Sequence, residues 1–272
     1  MQVPRANVPP LNSLSVFTAT ILLAYVLARG VTLPGWEGNW NVFGISLALT
    51  VNFDTLVAAL AAGLTAAGTH ALMQAHPTRQ ADAPTVQHWL LPTLTAWALG
   101  AVLRTLPGLW WWVGFGAGGG LLLLTLLAEY ASVSPEDSRY LPASAGLVAL
   151  AFGLYLALAV ALQAANTRLY LVLPALMGAA LLVALRVYHL RLEGVWHALP
   201  ALVTALLSTE LAAALHYFPL SPVRYGLLLT AFFYALVTLI TGLLEARRLR
   251  SIVLEAGVTL ILTVLLALWW FG

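Results

Sequence analysis

Long apolar stretches separated by short polar connections make up almost the whole chain. A membrane-spanning helix needs about 20 consecutive, mostly apolar residues, and about nine stretches reach that length. Because the connections are short, consecutive helices are expected to be antiparallel neighbours. The pattern predicts an all-α fold, a polytopic transmembrane helix bundle in one integral membrane domain over residues 1–272. The predicted helices cover residues 12–30, 54–73, 87–106, 108–130, 142–164, 168–190, 194–218, 222–245 and 250–271.

The segment between the first two helices follows a different pattern. Over residues 45–54, large apolar side chains alternate with small or polar ones, and a period of two is typical of a β-strand. Residues 31–33 can pair with this strand across the turn-forming residues that follow them. We therefore expect a short extracytoplasmic β-hairpin within 31–53, on the membrane surface, and Asp54 as the N-cap of the second helix. The alternative is one long helix over 43–73 that carries Asp54 into the membrane.

Composition points to lipid as the main solvent. The 272 residues are 61% hydrophobic and 8% charged, with a mean hydropathy of +0.92, whereas soluble domains carry about 25% charged residues. The chain has no cysteine, which excludes disulfides, thiolate nucleophiles and cysteine-based metal sites. The net charge of +2 is dispersed, so no basic block favours nucleic acid. The lipid bilayer is the expected partner.

The distribution of arginines predicts the orientation. With nine predicted spans, eight arginines gather at one side and four at the other, and the richer side is expected to be cytoplasmic. We therefore predict a multi-pass protein of the bacterial inner membrane, with a retained first helix, a cytoplasmic N-terminus and an extracytoplasmic C-terminus. The richer group is Arg5, Arg79, Arg139, Arg186, Arg191, Arg247, Arg248 and Arg250, and the other is Arg29, Arg104, Arg168 and Arg224.

Ionisable residues inside apolar spans are the first candidates for chemistry, because lipid makes their charges costly. Glu210 is the strongest, since it lies within the seventh predicted helix and shares a face with Tyr217, beside His216. A carboxylate there could relay protons, bind a cation or hold a ligand amine. The alternative is a structural ion pair with an arginine. Asp54 is a further candidate at the same predicted side.

A second group of polar residues is predicted at the arginine-rich side. Its histidines and carboxylates are of the type that can bind a transition metal or a haem, but their spacing specifies neither. Histidines near helix ends are more often hydrogen-bonding groups at the membrane interface. The cofactor is therefore left unassigned. The group consists of His70, His76, Arg79, His88, Glu129, Tyr130, Arg186, His189, His197 and Glu255.

Polar and small residues also recur at helical spacing. Thr230, Tyr234, Thr238, Thr241 and Glu245 form one stripe in the eighth helix, and Ser251, Glu255, Thr259 and Thr263 form one in the ninth. Such faces either line a hydrophilic pathway or hydrogen-bond to neighbouring helices. Pairs of small residues four apart, such as Gly114 and Gly118, Gly116 and Gly120, and Ala59, Gly63 and Ala67, allow close packing within the chain or between copies.

Three short stretches are shared with a known family. They are AGTHALMQAHP at 67–77, HWLLP at 88–92 and AEY at 128–130. In these stretches the chain resembles an uncharacterised family of bacterial polytopic membrane proteins, a domain of unknown function. The resemblance implies no activity, but it directs attention to six residues near the arginine-rich side: Thr69, His76, Pro77, Trp89, Glu129 and Tyr130.

No motif in the chain specifies a reaction. The favoured hypothesis is a non-enzymatic membrane component, or a subunit that binds lipid or a small molecule. A transporter or channel for a proton, ion or small solute is the alternative, and a membrane enzyme or redox subunit is the second alternative. A homo-oligomer or a larger membrane complex is a possible assembly, because faces of small residues are available.

Overall fold

The computed structural model describes residues 11–31, 36–42, 45–76, 85–134, 138–192 and 194–270. Over these residues the chain forms nine α-helices and one pair of antiparallel strands. The elements are α1 (Leu11–Gly30), β1 (Trp36–Val42), β2 (Ile45–Val51), α2 (Phe53–Gln74), α3 (Val86–Leu103), α4 (Gly108–Ala131), α5 (Tyr140–Ala164), α6 (Leu169–Arg191), α7 (Ala198–His216), α8 (Pro222–Leu244) and α9 (Leu249–Trp270).

Seven of the helices in these ranges are long and apolar enough to cross a membrane, namely α2 and α4 to α9. A multi-pass helical membrane protein is therefore confirmed, with seven spans shown where the sequence predicted about nine. α1 is apolar over Leu14–Gly30, the part of the helix whose side chains the structure describes. α3 is not among the seven, and it carries the polar residues Gln87, His88 and Thr95, which are all buried. A helix that is enclosed by other helices does not need a uniformly apolar surface.

The buried apolar side chains form two clusters that share α3. One cluster joins α1, α2, α3 and α4, and Leu99 and Leu103 supply its α3 part. The other joins α3, α5, α6, α7 and α8, and Leu91 and Leu94 lie in its α3 part. Because α3 also packs against α2, α4, α5 and α6, it forms the wall between two halves of the bundle. α9 packs against α8 at the edge of the bundle.

Consecutive helices run in opposite directions, so the bundle has two ends with different residues. Arg104 at the end of α3 contacts Thr55 at the start of α2, and His88 at the start of α3 contacts Glu129 at the end of α4. We call the end where α1 finishes and α2 begins the hairpin end. The opposite end, where α2, α4, α6 and α8 finish, is the far end.

The connection between α1 and α2 contains two antiparallel strands, and their register corrects the predicted pairing. β1 pairs with β2 from Trp36 opposite Val51 to Val42 opposite Ile45. The first strand is thus Trp36–Val42, part of which was predicted as the turn, and not residues 31–33, of which 32 and 33 lie outside the described residues. Tryptophan and valine favour strands strongly enough to outweigh the glycine and asparagines between them. The described strand at 45–51 also excludes a single helix over 43–73.

The predicted N-cap of α2 was wrong by two residues. Asn52 occupies that position, with extended backbone angles (φ −85°, ψ 155°), and Asp54 lies in the first turn of the helix. A carboxylate in the first turn still interacts favourably with the positive end of the helix dipole. Asp54 is exposed there, at the hairpin end.

Small residues allow close packing at some of the predicted positions and face outward at others. A Cβ on Gly114 or Gly118 would lie within 3 Å of a leucine side chain, Leu106 or Leu99 respectively. Gly116 and Gly120 have open space around them, and so does Gly63 on α2. Intrachain packing therefore explains two of the five glycines in these sets.

The tightest contact between α2 and α3 generates a prediction. A Cβ on Gly100 would lie 2.8 Å from the Cβ of Ala58 and 3.1 Å from the ring of Tyr25. We expect Gly100→Leu to destabilise the bundle by about 1–3 kcal/mol, the usual cost of overpacking. Gly63→Leu is the matched control, because nothing lies within 4 Å of that position. Thermal unfolding of both variants in one detergent measures the difference, and equal stabilities would contradict the close approach of α2 and α3.

Candidate functional site

A group of charged and polar side chains is enclosed at the far end, between α3, α4 and α6. Glu129 and Arg186 are 0% and 1% exposed, and His88 and Ser132 are also buried. Arg186 approaches both carboxylate oxygens of Glu129, with its Nε 3.0 Å from Oε1 and its Nη2 in contact with Oε2. His88 Nδ1 lies 3.0 Å from Oε2 of the same carboxylate. We call these four residues the buried ion cluster.

The hydrogen bonds of the cluster define the roles of its members. A carboxylate only accepts, so His88 donates through Nδ1 to Glu129. The 3.5 Å approach of Arg186 Nη2 to the same nitrogen is therefore a contact between two donors and not a hydrogen bond. Ser132 Oγ accepts from Arg186 Nη2 at 3.0 Å and donates to the backbone carbonyl of Glu129 at 2.9 Å.

The cluster stabilises a helix arrangement and leaves little capacity for chemistry. Paired and fully hydrogen-bonded charges are the form in which carboxylates and guanidiniums tolerate burial. Both oxygens of Glu129 are engaged by Arg186, and the carboxylate has no exposed surface. A substrate would have to displace Arg186 or His88 to reach it. We interpret the cluster as a structural contact that holds α3, α4 and α6 together.

Two further histidines occupy the same end. The ring of His76 packs on that of Tyr130 with centroids 4.3 Å apart, and both residues are buried. His70 Nδ1 lies 2.5 Å from the hydroxyl of Thr85, which links the end of α2 to the start of α3. Thr69 is buried and bonds to its own helix at Thr65. The stretches 67–77, 88–92 and 128–130 thus meet at one end of the bundle, except for Pro77, which lies outside the described residues, as does Arg79.

A groove of about 350 Å³ opens beside this group, between α4 and α5. Its polar part is formed by His76, Tyr130, Ser134 and Arg139, all at or beyond helix ends. Its apolar part follows α4 toward the middle of the bundle, as far as the exposed side chain of Leu124. The remaining lining residues are Leu127, Ala128, Ala131, Pro142 and Ala143.

The family of the chain follows from its sequence match. A sequence model of the family described as a protein of unknown function (DUF5656) matches residues 34–270. The chain belongs to the DUF5656 family. The resemblance to an uncharacterised family is therefore confirmed. No curated protein and no solved structure matches the chain significantly. The DUF5656 match includes the buried ion cluster and the groove, and it begins after α1.

Glu210 does not face the interior of the bundle. Its side chain is exposed on the outer surface of α7, in line with the exposed Val203, Leu206 and Tyr217. None of the described residues forms a hydrogen bond or ion pair with it, so the expected arginine partner is not found there. The ring of His216 packs against that of Tyr217 at 5.1 Å and does not reach Glu210.

The polar stripes of α8 and α9 do not meet through hydrogen bonds among the described residues. Thr238 and Thr241 are buried on α8, whereas Thr259 and Thr263 donate to carbonyls of their own helix. Glu255 is exposed and lies 3.3 Å from Arg247. Both expected uses of the stripes, a pathway and hydrogen bonds between helices, remain unobserved in this part of the chain.

Several residues at the far end were not identified as candidates from the sequence. Ser132 and Ser134 follow α4 without any recognisable motif, and Arg139 was noted only for its charge. The group of predicted polar residues also contained His189 and His197, which lie outside the buried ion cluster. His189 packs against Trp196 at 5.2 Å, and His197 precedes α7. Among the described residues, no three histidine or carboxylate side chains are placed to hold a metal.

The burial of the cluster leads to a stability prediction. Glu129→Gln keeps the shape of the side chain but leaves the charge of Arg186 buried without a counter-ion. We expect a loss of about 3–5 kcal/mol in the free energy of unfolding. Glu255→Gln breaks a pair that is nearly half exposed and should cost about 0–1 kcal/mol. Unfolding in a mild detergent measures both variants.

A double substitution separates charge from packing. Glu129→Leu together with Arg186→Met removes both buried charges, so it should recover most of the stability that Glu129→Gln loses, as such replacements often do. If the stability lost in the double variant equals the sum of the losses in Glu129→Leu alone and Arg186→Met alone, the pair is not coupled and the structural interpretation is wrong.

Proposed function

We propose that this protein is a non-enzymatic membrane subunit that binds an anionic phospholipid in the groove at the far end. The observation that carries the proposal is the shape and polarity of that groove. It combines a polar head at the helix ends with an apolar wall that runs along α4. A membrane lipid has the same two-part character.

The residues at the polar head suit a phosphate group. Arg139 supplies a guanidinium, which recognises phosphate through two parallel N–H donors. Tyr130 and Ser134 supply hydroxyls beside it, and His76 adds a ring nitrogen. Basic pockets near the cytoplasmic ends of transmembrane helices are typical sites for anionic headgroups. This fits the proposed orientation, in which the far end is cytoplasmic.

The apolar part of the groove suits an acyl chain. Leu124 lies six residues before Tyr130, which is about 9 Å along a helix. This wall therefore extends from the headgroup level into the hydrocarbon region. Leu124 is exposed on the outer surface of the bundle, so a bound chain would lie between the protein and the bilayer without a fully enclosed cavity.

The buried ion cluster supports a binding role over a catalytic one. Glu129 is the buried carboxylate of this end among the described residues, and Arg186, His88 and Ser132 occupy it. The cluster fixes the end of α4, which is also one wall of the groove. A rigid wall reduces the ordering cost of binding.

Native mass spectrometry of the purified protein tests the proposal. We expect an anionic phospholipid to remain bound to the wild type. Arg139→Gln should weaken binding roughly tenfold or more, since hydrogen bonds to charged groups contribute about 1.5–3 kcal/mol. Ala143→Phe should also reduce binding by filling the groove. Arg250→Gln, at the same end but outside the groove, is the matched control.

Two results would contradict the proposal. The first is equal retention of anionic lipid by the wild type, Arg139→Gln and Ala143→Phe. The second is catalytic turnover by the purified protein that depends on Glu129 while the fold remains intact. Zwitterionic lipid added in equal amount provides the comparison for charge selectivity.

We also propose that α1 and α3 cross the membrane, which gives nine spans, a cytoplasmic N-terminus and an extracytoplasmic C-terminus in a bacterial inner membrane. The absence of cysteine makes single-cysteine labelling direct. Ser221→Cys, between α7 and α8, should react with an impermeant maleimide on intact cells. Ser138→Cys, between α4 and α5, should react only after the membrane is opened. The reverse pattern would invert the orientation.

A further inference from the structure

A second cavity, of about 380 Å³, lies at the hairpin end and plays no part in the proposed lipid groove. The ends of α1 and α3 and the starts of α2 and α4 surround it. Its floor is apolar and aromatic, and its rim carries charges. The buried floor consists of Tyr25, Ala28, Leu103 and Trp111, and the exposed rim includes Arg29, Asn52, Asp54 and Arg104.

Arg29 is held at the rim by aromatic stacking. Its guanidinium carbon lies 4.4 Å from the ring centre of Trp111 and 5.4 Å from that of Trp112. Stacking uses the face of the guanidinium and leaves its N–H groups, which lie in the plane, to donate hydrogen bonds. The side chain is therefore positioned without a hydrogen-bonding partner among the described residues.

Arg104 reaches the same cavity from α3. Its Nη1 donates to the hydroxyl of Thr55 at 3.2 Å, which uses one of its five N–H donors. Neither arginine forms an ion pair with a carboxylate in the described parts of the chain. Asp54 lines the cavity with them, yet it lies beyond salt-bridge distance of both.

The net charge of the cavity indicates which kind of anion it would bind. Two guanidiniums against one carboxylate leave a net charge of about +1, which matches a monoanion better than a dianion. Arginines are the preferred partners of phosphate oxygens. The volume is within the usual range for small-molecule pockets, about 300–1,000 Å³, and exceeds the size of a free phosphate ion. The aromatic floor offers apolar surface to the substituents.

We propose that this cavity binds a phosphodiester monoanion between Arg29 and Arg104, with Asp54 disfavouring dianions. The phosphodiester comes either from a lipid headgroup at this membrane surface or from a soluble molecule. Both sources present the same group to the arginines. Arg29 precedes the residues of the DUF5656 match, so this site combines the matched region with α1.

The soluble arm of the test uses glycerophosphoglycerol, a phosphodiester without acyl chains. Isothermal titration into delipidated protein in detergent should show saturable binding. Arg29→Gln and Arg104→Gln should each weaken it roughly tenfold or more, since a hydrogen bond to a charged group contributes about 1.5–3 kcal/mol. Arg168→Gln, exposed at the same end but outside the cavity, should leave the affinity unchanged.

The lipid arm uses nanodiscs of phosphatidylglycerol, with native mass spectrometry as the readout. Retention of this lipid that falls in Arg104→Gln but not in Arg139→Gln assigns the source to a headgroup at the hairpin end. Binding of the soluble phosphodiester alone assigns the source to a soluble molecule. Because Arg139 belongs to the other groove, failure of one proposal is distinguishable from failure of the other.

The role of Asp54 is tested separately with inorganic phosphate. At a pH where the dianion predominates, Asp54→Asn should bind phosphate more tightly than the wild type does. The proposal is overturned if glycerophosphoglycerol and phosphatidylglycerol bind equally well to the wild type and to both arginine variants, or if neither binds the folded wild type. Tryptophan fluorescence and unfolding temperature establish that each variant is folded.

Discussion

The burial of Glu129 is the constraint on the arrangement of the bundle, because a carboxylate that is 0% exposed needs the charge of Arg186 beside it. The two apolar clusters share α3, and α4 of the first also packs against α5 of the second, but lipid supplies no hydrophobic force that would press them together. Glu129 belongs to a helix of the first cluster and Arg186 to a helix of the second. Because either charge left alone in the interior would be costly, their ion pair, with His88 of α3 bonded to the same carboxylate, keeps the ends of α4 and α6 adjacent.

The positions of the helices were predictable because their length is dictated by the bilayer. Most predicted bounds lie within two residues of the observed ones; α3 ends at Leu103 and α7 begins at Ala198, both inside the predicted ranges. The orientation of each helix about its axis was not predictable. Glu210 faces outward although it resembled an interior residue, since a spanning helix is apolar on all sides and no amphipathic pattern marks its buried face.

The types of residue in the candidate sites could be predicted from the sequence, but the contacts between those residues could not. The sequence grouped His88, Glu129 and Arg186 at one end, because helices of known direction bring their ends together. It could not show that these three meet while His189 and His197 do not, since that depends on the packing angles of α3, α4 and α6. No pattern in the sequence groups Arg29 with Arg104, and only the tertiary structure shows that they share a cavity with Asp54.

Chain order gives the ion pair a consequence for biogenesis. Glu129 is synthesised 57 residues before Arg186, and at about 5–20 residues per second roughly 3–11 s separate them. During that interval the carboxylate of Glu129 lacks Arg186, its partner in the completed bundle. A nascent chain halted after α5 therefore contains Glu129 and His88 of the buried ion cluster without the guanidinium of Arg186.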